Sequence, residues 1–512
     1  MKIDVAIIGA GHNGLVAATY LARAGLAVHV FERRAGFGGA ALSEELWPGY
    51  IFSTGAHLLH AVPAKIARDF SLLERGLQLV PREETMYLHP DGTYHGNIAI
   101  DLPNNLVARS KLNAAELAGL ERYTAFKRTL HALVRPYLLR PPPTLAELQA
   151  KAAGTPAEEV LRLATTMKLW EVQDHFLPTA RLREAFATEA SAVIENPLAF
   201  ALAYNAMDME DLETGEKPLR GFVRGGMVRF TECLLAAASE AGVQLHDNRP
   251  AERILVEQGR AVGLRFRDGG EVRCGLVLSS ADPKVTFLRL LTDADIDPGI
   301  RQRIAGLFSQ VSCYKLLAVI TELPRWKAWD GEPDAPSRGS MQFDMTREVI
   351  REVYAAVTAG EPPPRPMLSF NVPSMCDPSL APAGHHTASI YLYSVPPRLG
   401  RGTWAERKQE VAKQVIDYIT EFAPNFRRSI LKYVFRTPED LESQLGLTDG
   451  CIWHLQHTPD QILANRPLPE LANYRTPVAG LYLGGSGQHP GGEVSGIPGH
   501  NAAHEILRDL GC

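Results

Sequence analysis

The chain has 512 residues, 45% hydrophobic and 22% charged, the make-up of a globular enzyme with a sizeable buried core and room for several domains. A formal net charge of −5 without a basic block gives no electrostatic case for a nucleic-acid partner. Six cysteines stand at neither CxxC nor metal-ligand spacing, so no dithiol pair or metal centre is expected, and no apolar run is long enough to span a membrane.

The first element is an apolar run, Val5 to Ile8, that suits a strand buried on both faces. With so little chain ahead of it, no targeting segment is expected and a cytoplasmic protein is anticipated. The run meets Gly9-Ala10-Gly11-His12-Asn13-Gly14, a GxGxxG pattern. Helical spacing follows from Leu15 to Ala24, then a second strand from Ala27 to Phe31, closed by Glu32. The spacing is that of a dinucleotide-binding unit: Gly9 for the turn, Gly11 for close approach to a pyrophosphate at the helix N-terminus, Gly14 for helix-on-strand packing, and Glu32 for the ribose hydroxyls. Beyond Glu32, Arg33-Arg34-Ala35-Gly36-Phe37-Gly38-Gly39 resembles the second glycine pair of FAD-containing oxidoreductases. Those families usually place an arginine next. Ala40 and Ala41 stand there instead, leaving Arg33 or Arg34 as the candidate phosphate-facing cation.

Helical patterns fill the first long insertion, at Ala114 to Leu133 and Pro156 to Trp170, with a Pro141-Pro142-Pro143 break between them. The second insertion mixes strands, Cys313 to Thr321 and Thr387 to Val395, with an amphipathic helix from Trp404 to Phe422. Asp330 to Ser340 reads as a mobile loop, and it or the first insertion is a candidate membrane-surface contact, against the plainer reading of an ordinary loop. Near the C-terminus, Leu481 to Leu483 reads as a strand, Gly484 to Gly487 as a turn, and Pro498 to Leu507 as a helix whose N-terminus would favour negative charge on a reduced flavin. The many glycines between them imply close backbone approach to a cofactor.

The two glycine-rich ends, with Arg224-Gly225-Gly226-Met227 and the segment from Val277 to Pro283, resemble the phytoene desaturase-like branch of the FAD-dependent amine oxidase superfamily. The resemblance runs over nearly the whole chain. It implies an α/β fold: a discontinuous Rossmann-like FAD-binding domain (residues 1–73, 219–291 and 472–512) and a substrate domain of mixed sheet plus helices (74–218 and 292–471). It implies noncovalent FAD, since Gly484 to Gly492 holds no cysteine for attachment. Expected cofactor contacts are Gly9, Gly11, Gly14, Glu32, Arg33, Gly38, Gly39, Gly55, Ala251, Gly485, Ser486, Gly487, Val494 and Ile497.

Three residues are catalytic candidates, each with a structural alternative. His57, in a turn expected to pass the flavin ring, could shuttle a proton or only shape the pocket. Lys315 matches the strand lysine that amine oxidases hydrogen-bond through water to flavin N5, or is a solvated edge-strand lysine. Glu493 departs from the small residue of many relatives; it could orient a cation or take a proton, or it could cap the last helix. Tyr204, Tyr391, Tyr393 and Trp453 could line a substrate tunnel or fill the core. Dehydrogenation of an apolar carotenoid-like or isoprenoid substrate (a desaturase, or an isomerase) is put first. An amine or other small polar substrate oxidase stands as the alternative, and a flavin-binding interaction protein as a third reading. Oxygen or a quinone would reoxidise the flavin, and a membrane surface and a second copy of the chain are the remaining candidate partners.

Overall fold

The computed structural model describes residues 3–80, 85–96, 104–190, 194–210 and 214–512. Strand β1 (Ile3–Ile8) leads through helix α1 (His12–Arg23) to a parallel neighbour, β2 (Val28–Phe31). Val5, Ala6 and Ile7 are fully buried, as a strand covered on both faces requires. The chain then leaves this sheet and returns to it twice. Gln244–His246 pairs parallel with β2, and Glu271–Ser279 pairs parallel with β1 on the other side. Leu481–Leu483 in turn pairs parallel with Glu271–Ser279, while the hairpin Ala251–Glu257 and Arg260–Phe266 runs antiparallel at its N-terminal end.

The second seven-stranded sheet has the order Ile430–Arg436, Ser312–Ile320, His386–Val395, Met367–Asn371, Ser340–Phe343, Thr85–Leu88, Tyr94–His95. It is antiparallel except where Ser340–Phe343 pairs parallel with Thr85–Leu88, so it is mixed, as anticipated. One face packs on helix Trp404–Phe422 through Tyr314, Leu316, Ala318, Leu392 and Trp404. On the other face, Leu317 and Val319 pack against Tyr50 and Phe52. Helices Ala114–Val134, Pro156–Thr166 and Leu169–Phe176 build a separate apolar cluster around Tyr123, Leu130 and Trp170.

Three local expectations are corrected. The helical pattern from Pro156 to Trp170 is two helices, because Met167 and Lys168 are extended and residue 168 bridges to Leu198. Asp330 to Ser340 is not a featureless loop: it holds a short helix, Asp334–Ser337, with Pro336 and Ser337 buried, and Ser340 begins a strand. Ser312–Ile320 is no edge strand but lies between His386–Val395 and Ile430–Arg436, and every one of its residues is buried. No helix among the described residues is long and apolar enough to cross a membrane.

The C-terminal helix, Ile497–Leu510, crosses α1 at backbone contact. A Cβ added at Gly499 would overlap the carbonyl of Asn13, and one added at Gly14 would overlap the carbonyl of Gly9. The two ends of the chain are thereby locked together beside β1.

Candidate functional site

Between the two sheets lies a cavity of about 510 Å³. Its first part is built on the tip of β1. Gly11, the residue before α1, offers no side-chain cap, so the first N–H groups of the helix are left for an anion. Glu32, 6% exposed at the end of β2, accepts the backbone N–H of Ala10 through Oε2 at 2.9 Å and that of Arg34 through Oε1 at 3.1 Å. Its carboxylate is thereby fixed with acceptor capacity to spare for ribose hydroxyls. Gly39 lies against Gly11 so closely that a Cβ would meet the Gly11 Cα at 2.9 Å, and a Cβ at Gly55 would overlap the Ala40 carbonyl. These contacts leave a backbone-walled cradle that fits a dinucleotide.

Gly9, Gly11, Glu32, Arg33, Gly39, Gly55, Ala251, Ser486 and Val494 line the cavity, as do His57, Lys315 and Glu493. Five expected contacts lie behind the wall. Gly14 presses on Gly9, Gly38 on Thr231, Gly485 on the Ser280 carbonyl and Gly487 on Pro283, while Ile497 is in the core. Arg33 and Arg34 both face the cavity, and their guanidinium groups also tie down other backbone: Arg33 reaches the Ser443 carbonyl, and Arg34 those of Gly39 and Gln444.

The second sheet contributes a polar row. Lys315 stands opposite Tyr391, and Tyr391 opposite Ser369, so all three share one face, and all line the cavity. Lys315 is 1% exposed, and its Nζ donates to the carbonyls of Ser53 at 2.9 Å and Gly55 at 2.6 Å. Burial pushes its amine down to about 7. The His57 and Tyr391 rings lie 5.8 Å apart, and those of Tyr391 and Tyr393 6.1 Å apart at a 31° tilt.

Glu493 is a non-glycine residue at positive φ (63°), a conformation that holds only when its surroundings fix it. Oε1 accepts from the Tyr204 hydroxyl at 3.1 Å, and Oε2 lies 3.4 Å from His60 Nδ1. His60 Nε2 lies 3.0 Å from Asp208. Burial alone would raise the Glu493 carboxyl. The charge of His60 beside it, with the hydrogen bond from Tyr204, outweighs burial and holds the group at about 2. For His60 the two carboxylates outweigh burial, and its imidazole is raised above the ordinary value. Trp453 lines the cavity, while Tyr204 stacks on His457 behind Glu493.

Sequence reasoning did not single out His60, Asp208, Arg220, Asp282 or Arg466 for the site. His60 lies three residues from His57, a proximity that could have drawn notice. Asp208 has no local signal, because a ten-residue stretch of 3₁₀ helix, Ala199–Asp208, brings it against His60 from a distant segment. Fully buried Arg466 donates to carbonyls of Trp453, Leu455, Gln456, Gln461 and Ser486, knitting the cavity wall to the glycine turn. His489 and His500, also in the C-terminal motif, serve packing: His489 Nε2 meets the Tyr137 carbonyl at 2.9 Å and His500 pairs with Asn501.

The family model described as flavin containing amine oxidoreductase matches residues 14–500 of this chain. The chain belongs to that family. It is an oxidoreductase, its cofactor is FAD, and the cradle described above fits that cofactor. It is 32% identical to "Pyridine nucleotide-disulfide oxidoreductase domain-containing protein 2" of Rattus norvegicus, covering 99% of this chain and 94% of the relative. It is 25% identical to the phytoene desaturase (lycopene-forming) of Pseudescherichia vulneris, over 98% of each chain. A solved variant of putrescine oxidase shares the fold at a TM-score of 0.64 and 16% identity, over 100% of this chain and 99% of that one.

Proposed function

We propose that this family member dehydrogenates a small substrate carrying a polar group, as an amine oxidase or an oxidase of another polar molecule does. The observation that carries the reading is the polar row Lys315, Tyr391 and Ser369, faced across the same cavity by His57, His60 and Glu493. An apolar polyene lying against that wall would leave the buried Tyr391 hydroxyl, which meets no hydrogen-bond partner among the described residues, without one, which is costly. Bound FAD supplies the two-electron acceptor. The chain's own residues then have separate tasks. Glu32 and the N-terminus of α1 hold the nucleotide end. Lys315 pins the turn Ser53 to Gly55, and an amine near 7 can hold or give up a proton at Nζ around neutral pH. Glu493 and His60 orient the polar group. No cysteine stands in the C-terminal glycine turn, which supports noncovalent FAD.

A second reading, desaturation of an apolar carotenoid-like or isoprenoid substrate, is favoured by the full-length similarity to a phytoene desaturase. We also propose the division into an FAD-binding unit (1–73, 219–291, 472–512) and a substrate unit (74–218, 292–471). It is supported by the strands of the first sheet falling in the former segments and those of the second sheet in the latter. The test between substrates is anaerobic reduction of the purified holoenzyme, followed by loss of the oxidised-flavin absorbance. Bleaching by members of a panel of amines and polar alcohols, and not by a carotenoid and lipid extract, is expected. Bleaching by the lipid fraction alone would overturn the first reading in favour of the second.

A further inference from the structure

Asp282 follows the strand Glu271–Ser279 and is 1% exposed. One of its oxygens, Oδ1, accepts the backbone N–H of Lys284 at 2.7 Å and caps the short helix Pro283–Val285. The other, Oδ2, is buried and meets no donor among the described residues, although Asp282 lines the cavity. Its position is the junction of the two glycine motifs. Ser280 Oγ donates to the carbonyls of Ile8 and Gly9 at the tip of β1, and Gly485 and Gly487 pack against residues 280–283. An uncompensated buried carboxylate oxygen costs several kcal/mol, by order of magnitude, so a site that retains one has a partner for it.

We propose that Asp282 is a cofactor-binding residue: its carboxylic acid, protonated at Oδ2, donates a hydrogen bond to an oxygen of bound FAD. The neighbouring charges fit this assignment. Lys284 Nζ does not neutralise the carboxyl, because it is engaged by Ser309 Oγ at 2.6 Å and Asp449 Oδ2 at 3.4 Å. Asp449 itself disfavours a second negative charge nearby, and the Arg466 guanidinium is committed to backbone carbonyls. Burial, with Asp449, pushes the Asp282 carboxyl up to about 7 against the pull of Lys284. A donor is thus available around neutral pH and lost above it, when a carboxylate would face the oxygens of FAD. The inference rests on the cofactor alone and stands whichever substrate reading holds.

The test measures FAD dissociation from holoenzyme by the fluorescence of released flavin, from about pH 6 to about pH 9, in wild type, Asp282→Asn and Asp282→Ser. Serine keeps an oxygen that can cap Lys284 but lacks the second one, whereas asparagine keeps a donor at every pH. In wild type the affinity should weaken above neutrality by up to about tenfold per pH unit, while Asp282→Asn should remove that component. Comparing these two proteins cancels other groups that titrate in the window, Lys315 among them. Asp282→Ser should bind FAD about tenfold or more weakly at the acid end. Wild-type affinity in the serine variant would mean that a water satisfies Oδ2 and would overturn the proposal. So would identical pH profiles for wild type and Asp282→Asn, an arm that holds even where the serine variant does not fold.

Discussion

Replacing Lys315 with Met keeps the volume of the side chain and removes its amine, and the consequence depends on pH in a direction that can be worked out. The amine is held at about 7, against an ordinary 10.5, because burial disfavours its charge. Below the folded value, lysine is charged in both the folded and unfolded chains and the full desolvation cost falls on the fold. Between the folded and unfolded values the unfolded chain binds one more proton, so stability rises with pH by about 1.4 kcal/mol per unit. Over the whole interval this amounts to roughly 3–5 kcal/mol. The neutral amine has two N–H groups, matching the two carbonyls it meets at Ser53 and Gly55. Methionine leaves both acceptors without this donor, at about 1–3 kcal/mol each. Wild type should therefore gain on Lys315→Met as the pH is raised, by about 1.4 kcal/mol per unit above neutrality. Urea unfolding of both proteins in a series of buffers from about pH 6 to about pH 10 measures it. A stability difference that stays constant across the series would show that Lys315 remains charged in the fold and would refute the desolvation argument.

Three further outcomes are expected. Glu32→Ala should weaken FAD binding about a hundredfold, the loss of one or two charge-assisted hydrogen bonds, read by titrating FAD into the stripped protein; undiminished affinity would remove Glu32 from the ribose site. Gly499→Ala should lower stability by about 1–3 kcal/mol, because its Cβ overlaps the Asn13 carbonyl, and should loosen FAD with it; an unchanged melting temperature would contradict the close crossing of the two terminal helices. Glu493→Gln should lower the imidazole pKa of His60, now held above the ordinary value by Glu493 and Asp208, as followed by its NMR titration. A histidine raised in the fold stabilises most below its unfolded pKa, and that contribution fades as pH rises through the folded one. Glu493, held low in the fold, contributes only above its unfolded pKa, so the stability deficit of Glu493→Gln should be largest between about pH 4.3 and about pH 6.5 and shrink toward alkaline pH; a deficit that grows from about pH 6.5 upward would contradict the pairing.

The dinucleotide unit was legible because its physics is local. A strand, a tight turn, a helix start and an acidic residue follow one another within 32 residues, each constrained by its neighbours in sequence. Glu32 and Gly11 line the cavity, in keeping with that spacing, whereas the C-terminal turn is legible only through the resemblance to two-domain flavoproteins. Gly14 took the helix-packing role that its spacing implied. Gly38, Gly485 and Gly487 could not be told from cofactor contacts in the sequence, since glycine serves close approach to a ligand and to other parts of the chain alike; in the structure they press on Thr231, the Ser280 carbonyl and Pro283. Lys315 shows the same limit. Its strand pattern was plain, but whether the strand was an edge or a centre depended on Ile430–Arg436, more than a hundred residues away. The Asp208–His60–Glu493 chain and the orphan oxygen of Asp282 are further cases: their members come from segments far apart, and their chemistry arises from distances between side chains. Sequence by itself therefore determined the cofactor-binding unit, because local backbone geometry demands particular residues at particular spacings. Only the tertiary structure decided which side chains line the cavity, because burial and charge pairing between distant segments have no signature in local order.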